Sequence, residues 1–160
     1  MIDKQVQLRA FLDLIAYGEG TDNGIQPTKC KGYDVIVGGS LFTDFSKHPG
    51  KYVKLSKTLT SSAAGRYQTL EKYAKHYMKQ LGLKDFGPES QDKIAIQLIK
   101  ECKALEDIYA GRIHSAIYKC SSRWASMPAK SSGKSAYGQR TEKIEKLIEI
   151  FKKAGGVVTD

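Results

Sequence analysis

One carboxylate stands apart from the other acidic residues of this 160-residue sequence. Glu19 lies between Gly18 and Gly20, where a helical apolar pattern ends and a polar stretch begins. Glycines let the backbone pack closely around a carboxyl group, and partial burial would raise its pKa. A carboxyl group that stays protonated near neutral pH can act as a general acid. Glu19 is therefore the candidate catalytic residue, although a glutamate at a helix end is ordinarily solvated.

A second carboxylate is required if the substrate is a glycoside that is cleaved by ordinary hydrolysis, because two acidic side chains then flank the bond. Asp22, Asp34 and Asp44 follow Glu19 along the chain and are the candidates. Asp34 alternates with apolar neighbours, a pattern that is also typical of a solvent-facing residue in a strand. Spacing alone selects none of the three as a nucleophile.

Two segments place an aromatic ring and an amide just before a predicted helix, at residues 65–68 and 136–139. An aromatic face covers the C–H face of a sugar, and an amide bonds its hydroxyl or N-acetyl groups. The alternative is that these side chains only pack at a helix entry. The candidate binding residues are Tyr67, Gln68, Tyr137 and Gln139.

Apolar spacing predicts the elements that position these residues. Repeats of i, i+3, i+4 and i+7 predict helices that end near Gly18, Gly82 and Gly155, one that begins at Pro88, and a shorter one over 113–120. Gly38-Gly39 between two β-prone runs predicts a hairpin, residues 52–55 a short strand, and 56–64 a loop. The fold class is α+β: mainly helical, in one domain over 1–160, with a β-hairpin lobe at about 30–60.

Composition narrows the classes of partner. Lys and Arg number 26 against 17 Asp and Glu, a net charge of +9, which favours a polyanionic partner such as nucleic acid, an anionic membrane face or a cell wall. The basic residues are dispersed and no nucleic-acid-binding signature occurs, so nucleic acid is the weaker alternative. The hydrophobic share of 41% excludes a disordered tail or a fibrous protein.

The cysteines and histidines show no metal-ligand spacing. Cys30, Cys102 and Cys120 form no C-x-x-C pair, so we expect three free thiols and no metal. No secretory signal and no membrane-spanning stretch are present in the sequence, which predicts synthesis in a cytoplasm and no stable membrane insertion.

Several blocks of residues are spread over nearly the whole chain. Residues 16–24 read AYGEGTDNG and residues 32–39 read GYDVIVGG. The other blocks are LFTD at 41–44, AGRYQ at 64–68, KQLGLKDF at 79–86, WAS at 124–126 with Pro128, and FKKAGG at 151–156. In this order, the blocks closely resemble the lambda-type phage endolysins.

The resemblance implies a lysozyme-like fold with a cleft between two lobes. It implies cleavage of the β-1,4 bond between N-acetylmuramic acid and N-acetylglucosamine in peptidoglycan by lytic transglycosylation. In that reaction the C6 hydroxyl of the muramic acid attacks the anomeric carbon and leaves a 1,6-anhydromuramoyl end, so no enzyme nucleophile is required.

The resemblance also implies site residues and a biological setting. The family's catalytic glutamate falls on Glu19, and the expected substrate-binding residues are Gln68, Tyr137, Gln139, Tyr67 and Asp34. We expect a monomer without cofactors that waits in the bacterial host cytoplasm and depends on a separate holin to reach the periplasm and cell wall. The alternatives are a hydrolase that pairs Glu19 with Asp34 or Asp44, and a non-catalytic basic module that binds wall polymer or nucleic acid.

Overall fold

The computed structural model describes residues 2–130 and 142–160, and these residues form two compact units. The first unit contains the described residues up to Glu19 and those from Ile96 onward, and the second is Gly20–Ala95. The predicted α+β class, mainly helical with a small antiparallel hairpin, is confirmed. In chain order the elements are α1 (Lys4–Gly18), β1 (Val53–Lys54), β2 (Thr60–Ser61), α2 (Glu71–Leu81), α3 (Pro88–Glu101), α4 (Leu105–Ala110), α5 (Ile113–Cys120) and α6 (Ile144–Lys153).

Helix α1 begins at a capping residue and ends where the sequence predicts. The Asp3 carboxylate accepts hydrogen bonds from the amides of Gln5 and Val6, at 2.9 and 3.1 Å, and so satisfies two of the free donors of the first turn. The last helical residue is Gly18. The amide of Glu19 still donates to the carbonyl of Ile15 at 2.8 Å, so the helix places Glu19 directly at its C-terminal end.

The core of the first unit forms around α1. This helix packs against α4 and α6, and α5 contacts α4 and α6 in turn. Gln7 is a polar side chain within this core: it is 1% exposed, and its side-chain amide hydrogen-bonds the backbone of Ile108 and Val157. The largest fully buried apolar side chains of this unit are Phe11, Leu12, Leu14, Ile15, Ile99, Ile108, Ile113, Ile117 and Phe151.

The second unit contains little regular strand. The turn predicted at Gly38-Gly39 is present, and both glycines have positive φ, 92° and 104°. A single antiparallel bridge, Val35 with Leu41, flanks that turn. The chain therefore reverses direction there without forming a regular two-stranded ladder. The regular hairpin is β1 with β2, in which Val53 pairs with Ser61.

One sequence expectation about elements is corrected, and one helix was missed. The stretch 56–64, expected to be a loop, contains β2, because the Leu55 amide bonds the Leu59 carbonyl at 2.8 Å and closes a tight turn between the strands. Helix α4 was not predicted, since its six residues are too few to show a helical period. Among the described residues, no helix is long and apolar enough to cross a membrane.

Candidate active site

The Glu19 carboxyl group is held by Ser126, which is 107 residues away along the chain and belongs to the same unit. The Ser126 hydroxyl donates to Glu19 Oε2 at 2.5 Å, and the Ser126 amide also hydrogen-bonds the carboxyl group. Gly18 makes this approach possible, because a Cβ atom at residue 18 would lie 2.8 Å from Ser126 Oγ. The glycine before the glutamate is therefore required by a side-chain contact.

The Glu19 carboxyl group has a pKa raised to about 7. Burial is the largest cause, since it penalises the charged carboxylate, and the two hydrogen bonds from Ser126 act in the opposite direction. Glu19 as a whole residue is half-buried, while its carboxyl group is desolvated. A carboxyl group with this pKa is populated in both protonation states near neutral pH, which is the condition for donating and later accepting a proton.

Ser126 is fixed by the segment that follows α5. The Trp124 ring is 2% exposed, and the Trp124 amide donates to the carbonyl of Cys120 at 3.1 Å. The Ser126 carbonyl accepts from the amide of Glu142 at 2.9 Å. Sequence analysis missed Ser126: residues 124–126 belong to one of the resembling blocks, but no spacing joins a serine there to a glutamate at the end of α1.

Gln68 lies in a tight turn of the second unit. Its φ is 53°, in the left-handed region, and Gly65 at the start of the turn has a φ of 85°. The side-chain nitrogen of Gln68, Nε2, donates to the carbonyls of Gly65, at 2.9 Å, and Val35, at 3.2 Å. The side chain is half-buried, so these bonds orient the amide while part of it still faces solvent.

Tyr67 packs in the core of the second unit. Packing was the alternative that the sequence left open to a sugar-binding role for this residue. It is 2% exposed, and its hydroxyl donates to Asp92 at 2.5 Å. The hydroxyl of Tyr33 donates to the same Asp92 oxygen at 2.8 Å. Burial raises the pKa of Tyr67 far above its usual value. Tyr67 is therefore a neutral donor that helps to fix the turn before Gln68.

Arg66 ties this turn to the start of the second unit. The guanidinium is 3% exposed, pairs with the Asp22 carboxylate at 3.1 Å, and donates to the carbonyl of Lys31 at 2.9 Å. The Arg66 amide donates to the Gln91 side chain at 2.9 Å. Asp22, a candidate second carboxylate, thus serves as an ion-pair partner.

Alternation with apolar neighbours is typical of a solvent-facing residue, but Asp34 is buried and only 3% exposed. It accepts from the Thr28 hydroxyl at 2.5 Å and from the Lys29 amide at 3.0 Å. Burial, the largest single influence, opposes ionisation, but these hydrogen bonds together outweigh it and lower the Asp34 pKa. Asp34 is therefore a buried, ionised carboxylate saturated by its own loop.

The third candidate carboxylate, Asp44, is exposed. It accepts from the amide and hydroxyl of Ser46 at 2.9 and 2.6 Å, and these bonds lower its pKa. Tyr137 and Gln139, predicted binding residues, lie outside the described residues. Within residues 2–130 and 142–160, no group of three or more His, Cys, Asp or Glu side chains is arranged to hold a metal ion.

The family follows from comparison with known proteins. A family model described as Endolysin matches residues 9–158. The chain belongs to the endolysin family. The endolysin of Escherichia phage lambda is 52% identical over 160 residues, covering 100% of this chain and 98% of that protein. The endolysin of Escherichia phage P2 is 46% identical over 168 residues, with 98% of each chain covered.

Solved structures agree with this endolysin assignment. Bacteriophage lambda lysozyme complexed with a chitohexasaccharide has a TM-score of 0.92 and 53% sequence identity, and the match covers 99% of this chain and 100% of that one. A second structure of the lysozyme from bacteriophage lambda gives a TM-score of 0.91 at 51% identity with the same coverage. The predicted lysozyme-like fold is confirmed, and the chain is an endolysin of the lambda lysozyme type.

Proposed function

We propose that this endolysin cleaves the β-1,4 bond between N-acetylmuramic acid and N-acetylglucosamine in peptidoglycan by lytic transglycosylation. Glu19 protonates the oxygen of the leaving sugar. The resulting carboxylate then takes the proton from the C6 hydroxyl of the muramic acid, which attacks the anomeric carbon. The product carries a 1,6-anhydromuramoyl end, and Glu19 returns to its protonated state.

The observation that carries this proposal is the state of the Glu19 carboxyl group. With a pKa of about 7, it is protonated in a large fraction of molecules at neutral pH and is only a moderately strong acid. A single group of this kind can serve first as acid and then as base. Attack by a hydroxyl of the substrate itself is intramolecular, and good orientation of such a step can lower its barrier by about 7–11 kcal/mol.

The two candidate partners for hydrolysis are engaged in other bonds. Asp34 is buried, and both of its carboxylate oxygens accept from its own loop. Asp44 accepts from both donors of Ser46 in its own turn. A nucleophile or base for the second step of a hydrolysis must reach the sugar or a water beside it. The bonds around Asp34 therefore favour transglycosylation over a hydrolase that would use Asp34.

Glycan binding is proposed for the oriented polar side chains. Gln68, held by two backbone carbonyls, is suited to bond an N-acetyl group, and Tyr137 and Gln139 are proposed as further glycan-binding residues. Tyr67 and Asp34 are both buried. They are proposed to support glycan binding by fixing the turn before Gln68 and the loop of residues 28–34. The chitohexasaccharide bound to lambda lysozyme supports a substrate built of β-1,4-linked N-acetyl sugars.

The biological setting is part of the same proposal. The whole chain acts as one catalytic domain, as a monomer without cofactor. It accumulates in the cytoplasm of the bacterial host, and a separate holin gives it access to the periplasm, where it lyses the wall. The net charge of +9 favours association with the anionic wall and envelope.

The test is mass spectrometry of the muropeptides that the protein releases from purified peptidoglycan. Each anhydro end is lighter than a hydrolysed end by one water. Transglycosylation predicts anhydro ends throughout the digest. Reducing muramic ends would instead establish hydrolysis and return attention to Asp34 and Asp44. No release at all would favour the non-catalytic binding module.

A further inference from the structure

The net positive charge of the chain is concentrated in one stretch of the second unit. Basic residues are dispersed along the whole sequence, but acidic residues are nearly absent from residues 45–84. This quarter of the chain contains nine Lys and Arg residues against one acidic residue, Glu71, and so carries +8 of the net charge of +9. Arg66 is buried and paired with Asp22, but all eight lysines of the stretch are exposed. The charge therefore lies on the surface of this unit.

Helix α2 presents three of these lysines on one face. Lys72, Lys75 and Lys79 are spaced i, i+3 and i+7, so they lie on the same side of the helix, and each is exposed. Ala74 and Tyr77 are buried on the opposite side. A helix that packs one face and lines the other with lysines is typical of segments that lie on anionic membrane surfaces.

The β1–β2 hairpin adds three more lysines together with exposed apolar side chains. Lys51, Lys54 and Lys57 are all exposed. Leu55 and Leu59, whose backbone hydrogen bond closes the turn between the strands, are 44% and 42% exposed. Leucines placed among lysines can enter the boundary between lipid headgroups and acyl chains while the ammonium groups remain at the phosphates.

The hairpin and α2 meet at the single carboxylate of the stretch. The Tyr52 hydroxyl donates to Glu71 Oε1 at 2.8 Å, and Lys75 Nζ lies 3.8 Å from Glu71 Oε2. Tyr52 is itself 65% exposed, and a tyrosine ring is favoured where an apolar phase meets water. The two elements are thus neighbours and form what we call the basic face: Lys51, Lys54, Lys57, Lys72, Lys75 and Lys79, with Leu55 and Leu59.

We propose that the basic face docks on the surface of a bilayer that contains anionic phospholipid. The lysines are complementary in charge to the lipid phosphates, and the two leucines gain an apolar environment that a polyanion in water does not offer. Charge alone would equally suit nucleic acid or an anionic wall polymer, so the exposed leucines decide between these partners. The docking is peripheral and independent of the bond that the protein cleaves.

The experiment is co-sedimentation of the full-length protein with lipid vesicles. One set contains phosphatidylcholine and phosphatidylglycerol in equal amounts, and the other contains phosphatidylcholine alone. We expect binding to the anionic vesicles only, and we expect it to weaken as NaCl is added, because salt screens the attraction between the lysines and the phosphates. Binding to neutral vesicles as tight as to anionic ones, or to neither, overturns the proposal.

A triple variant of α2 tests the location of the surface. Each lysine near an anionic bilayer contributes roughly fivefold in affinity, so Lys72→Gln with Lys75→Gln and Lys79→Gln should weaken binding to anionic vesicles by about 10²-fold. All three side chains are exposed, and the circular dichroism spectrum should match that of the wild type.

The matched control removes the same charge from exposed positions of the first unit. Lys4→Gln with Lys100→Gln and Lys152→Gln should bind within about threefold of the wild type, because charges beyond the screening length contribute little. A loss in this control as large as that of the α2 variant would show that only the net charge matters, and would overturn the proposal.

A hairpin variant separates lipid from other polyanions. Leu55→Ser with Leu59→Ser removes the apolar side chains and leaves every charge in place. We expect its affinity for anionic vesicles to fall by about tenfold, since two partly exposed leucines lose their transfer into the bilayer. Its binding to duplex DNA, which depends on charge, should equal that of the wild type. Unchanged binding to anionic vesicles would overturn the assignment to lipid.

Discussion

Two carboxylates in different units of the molecule have pKa values that are shifted in opposite directions, although burial raises both. For Glu19, burial prevails and raises the pKa to about 7. For Asp34, a residue that is 3% exposed, hydrogen bonds prevail and the pKa is lowered. Asp34 therefore stays ionised at neutral pH, whereas Glu19 is present in both protonation states.

Stronger desolvation of the Glu19 carboxyl group and more donors around Asp34 together account for this difference. Asp34 receives bonds from Thr28 and Lys29 in a loop folded around it, and these outweigh the cost of desolvation. Glu19 receives its two bonds from one residue, Ser126, and they reduce the effect of burial without reversing it. The comparison separates a carboxyl group that can exchange a proton from one that stabilises a loop as a fixed charge.

The largest expected effect follows from removing the acid. Glu19→Gln keeps the shape of the side chain and an acceptor for Ser126 but cannot donate a proton. We expect release of muropeptides to fall by about 10²–10⁴-fold, the usual contribution of general acid catalysis. Glu145→Gln, an exposed glutamate on α6, is the control and should retain full activity. Activity of Glu19→Gln near the wild-type level would remove Glu19 from the reaction.

The same variant should reveal the cost of ionising Glu19 in the folded protein. Between the ordinary pKa of 4.5 and the raised pKa of about 7, the native state holds a proton that the unfolded chain has lost. Wild-type stability therefore falls as pH rises through this window, and Glu19→Gln lacks this loss. We expect the variant to gain about 2 kcal/mol of unfolding free energy over the wild type between about pH 5 and pH 8, after allowance for partial solvent access.

Urea unfolding of both proteins at the two pH values measures this gain. The Glu145→Gln control should follow the wild type at both, because its carboxylate is exposed. A constant difference between Glu19→Gln and wild type across the window would mean that the Glu19 pKa is not raised in the folded state.

The other half of the comparison is tested by Asp34→Asn. The amide keeps one acceptor oxygen but turns a donor toward the Thr28 hydroxyl or the Lys29 amide. We expect a loss of about 1–2 kcal/mol in unfolding free energy, measured by urea unfolding at neutral pH, because a buried donor is left without a proper partner. Activity per folded molecule should remain within about twofold of the wild type, since one broken hydrogen bond in a supporting loop leaves Glu19 unchanged.

Asp44→Asn is the matched control, because Asp44 also accepts two bonds from its own turn but is exposed. It should cost less stability than Asp34→Asn. An activity loss in either variant as large as that of Glu19→Gln would establish a second essential carboxylate and favour the hydrolase.

Long apolar stripes made much of the fold predictable from sequence. The ends of α1 and α2 fall at Gly18 and Leu81, as the spacing of apolar residues and the following glycines indicate. Short elements held by backbone pairing leave no such signal. The two residues of β2, Thr60 and Ser61, are both polar, so no alternation of apolar and polar residues marks it as a strand.

The candidate site was predictable only in part, for a related reason. Glu19 could be singled out because its glycine neighbours are adjacent in sequence. Ser126 could not, because its role depends on a contact across 107 residues. For Asp34, alternation with apolar neighbours offered a solvent-facing position beside the expected binding role, because alternation assumes a regular strand, whereas residues 28–34 fold back on the carboxylate.

The smallest expected effect concerns Ser126 itself. Because its hydroxyl donates to the Glu19 carboxylate, it stabilises the charged form, and Ser126→Ala should raise the Glu19 pKa further. One such bond is worth about 1 kcal/mol, so the alkaline limb of the pH profile for muropeptide release should move up by about 0.7 pH unit. The maximal rate should change little, because the proton donor itself remains.

Ser121→Ala is the matched control in the same segment. Ser121 is also buried, but its hydroxyl donates to the carbonyl of Tyr118 at 2.7 Å and not to Glu19, so its loss should leave the limb in place. A shift of the alkaline limb to lower pH in Ser126→Ala would mean that the hydroxyl stabilises the protonated form of Glu19. Ser126 and burial would then both raise the pKa of Glu19. The hydrogen bonds around Asp34, in contrast, lower its pKa, so the two sites would differ in the direction of the hydrogen-bond effect as well as in the number of donors.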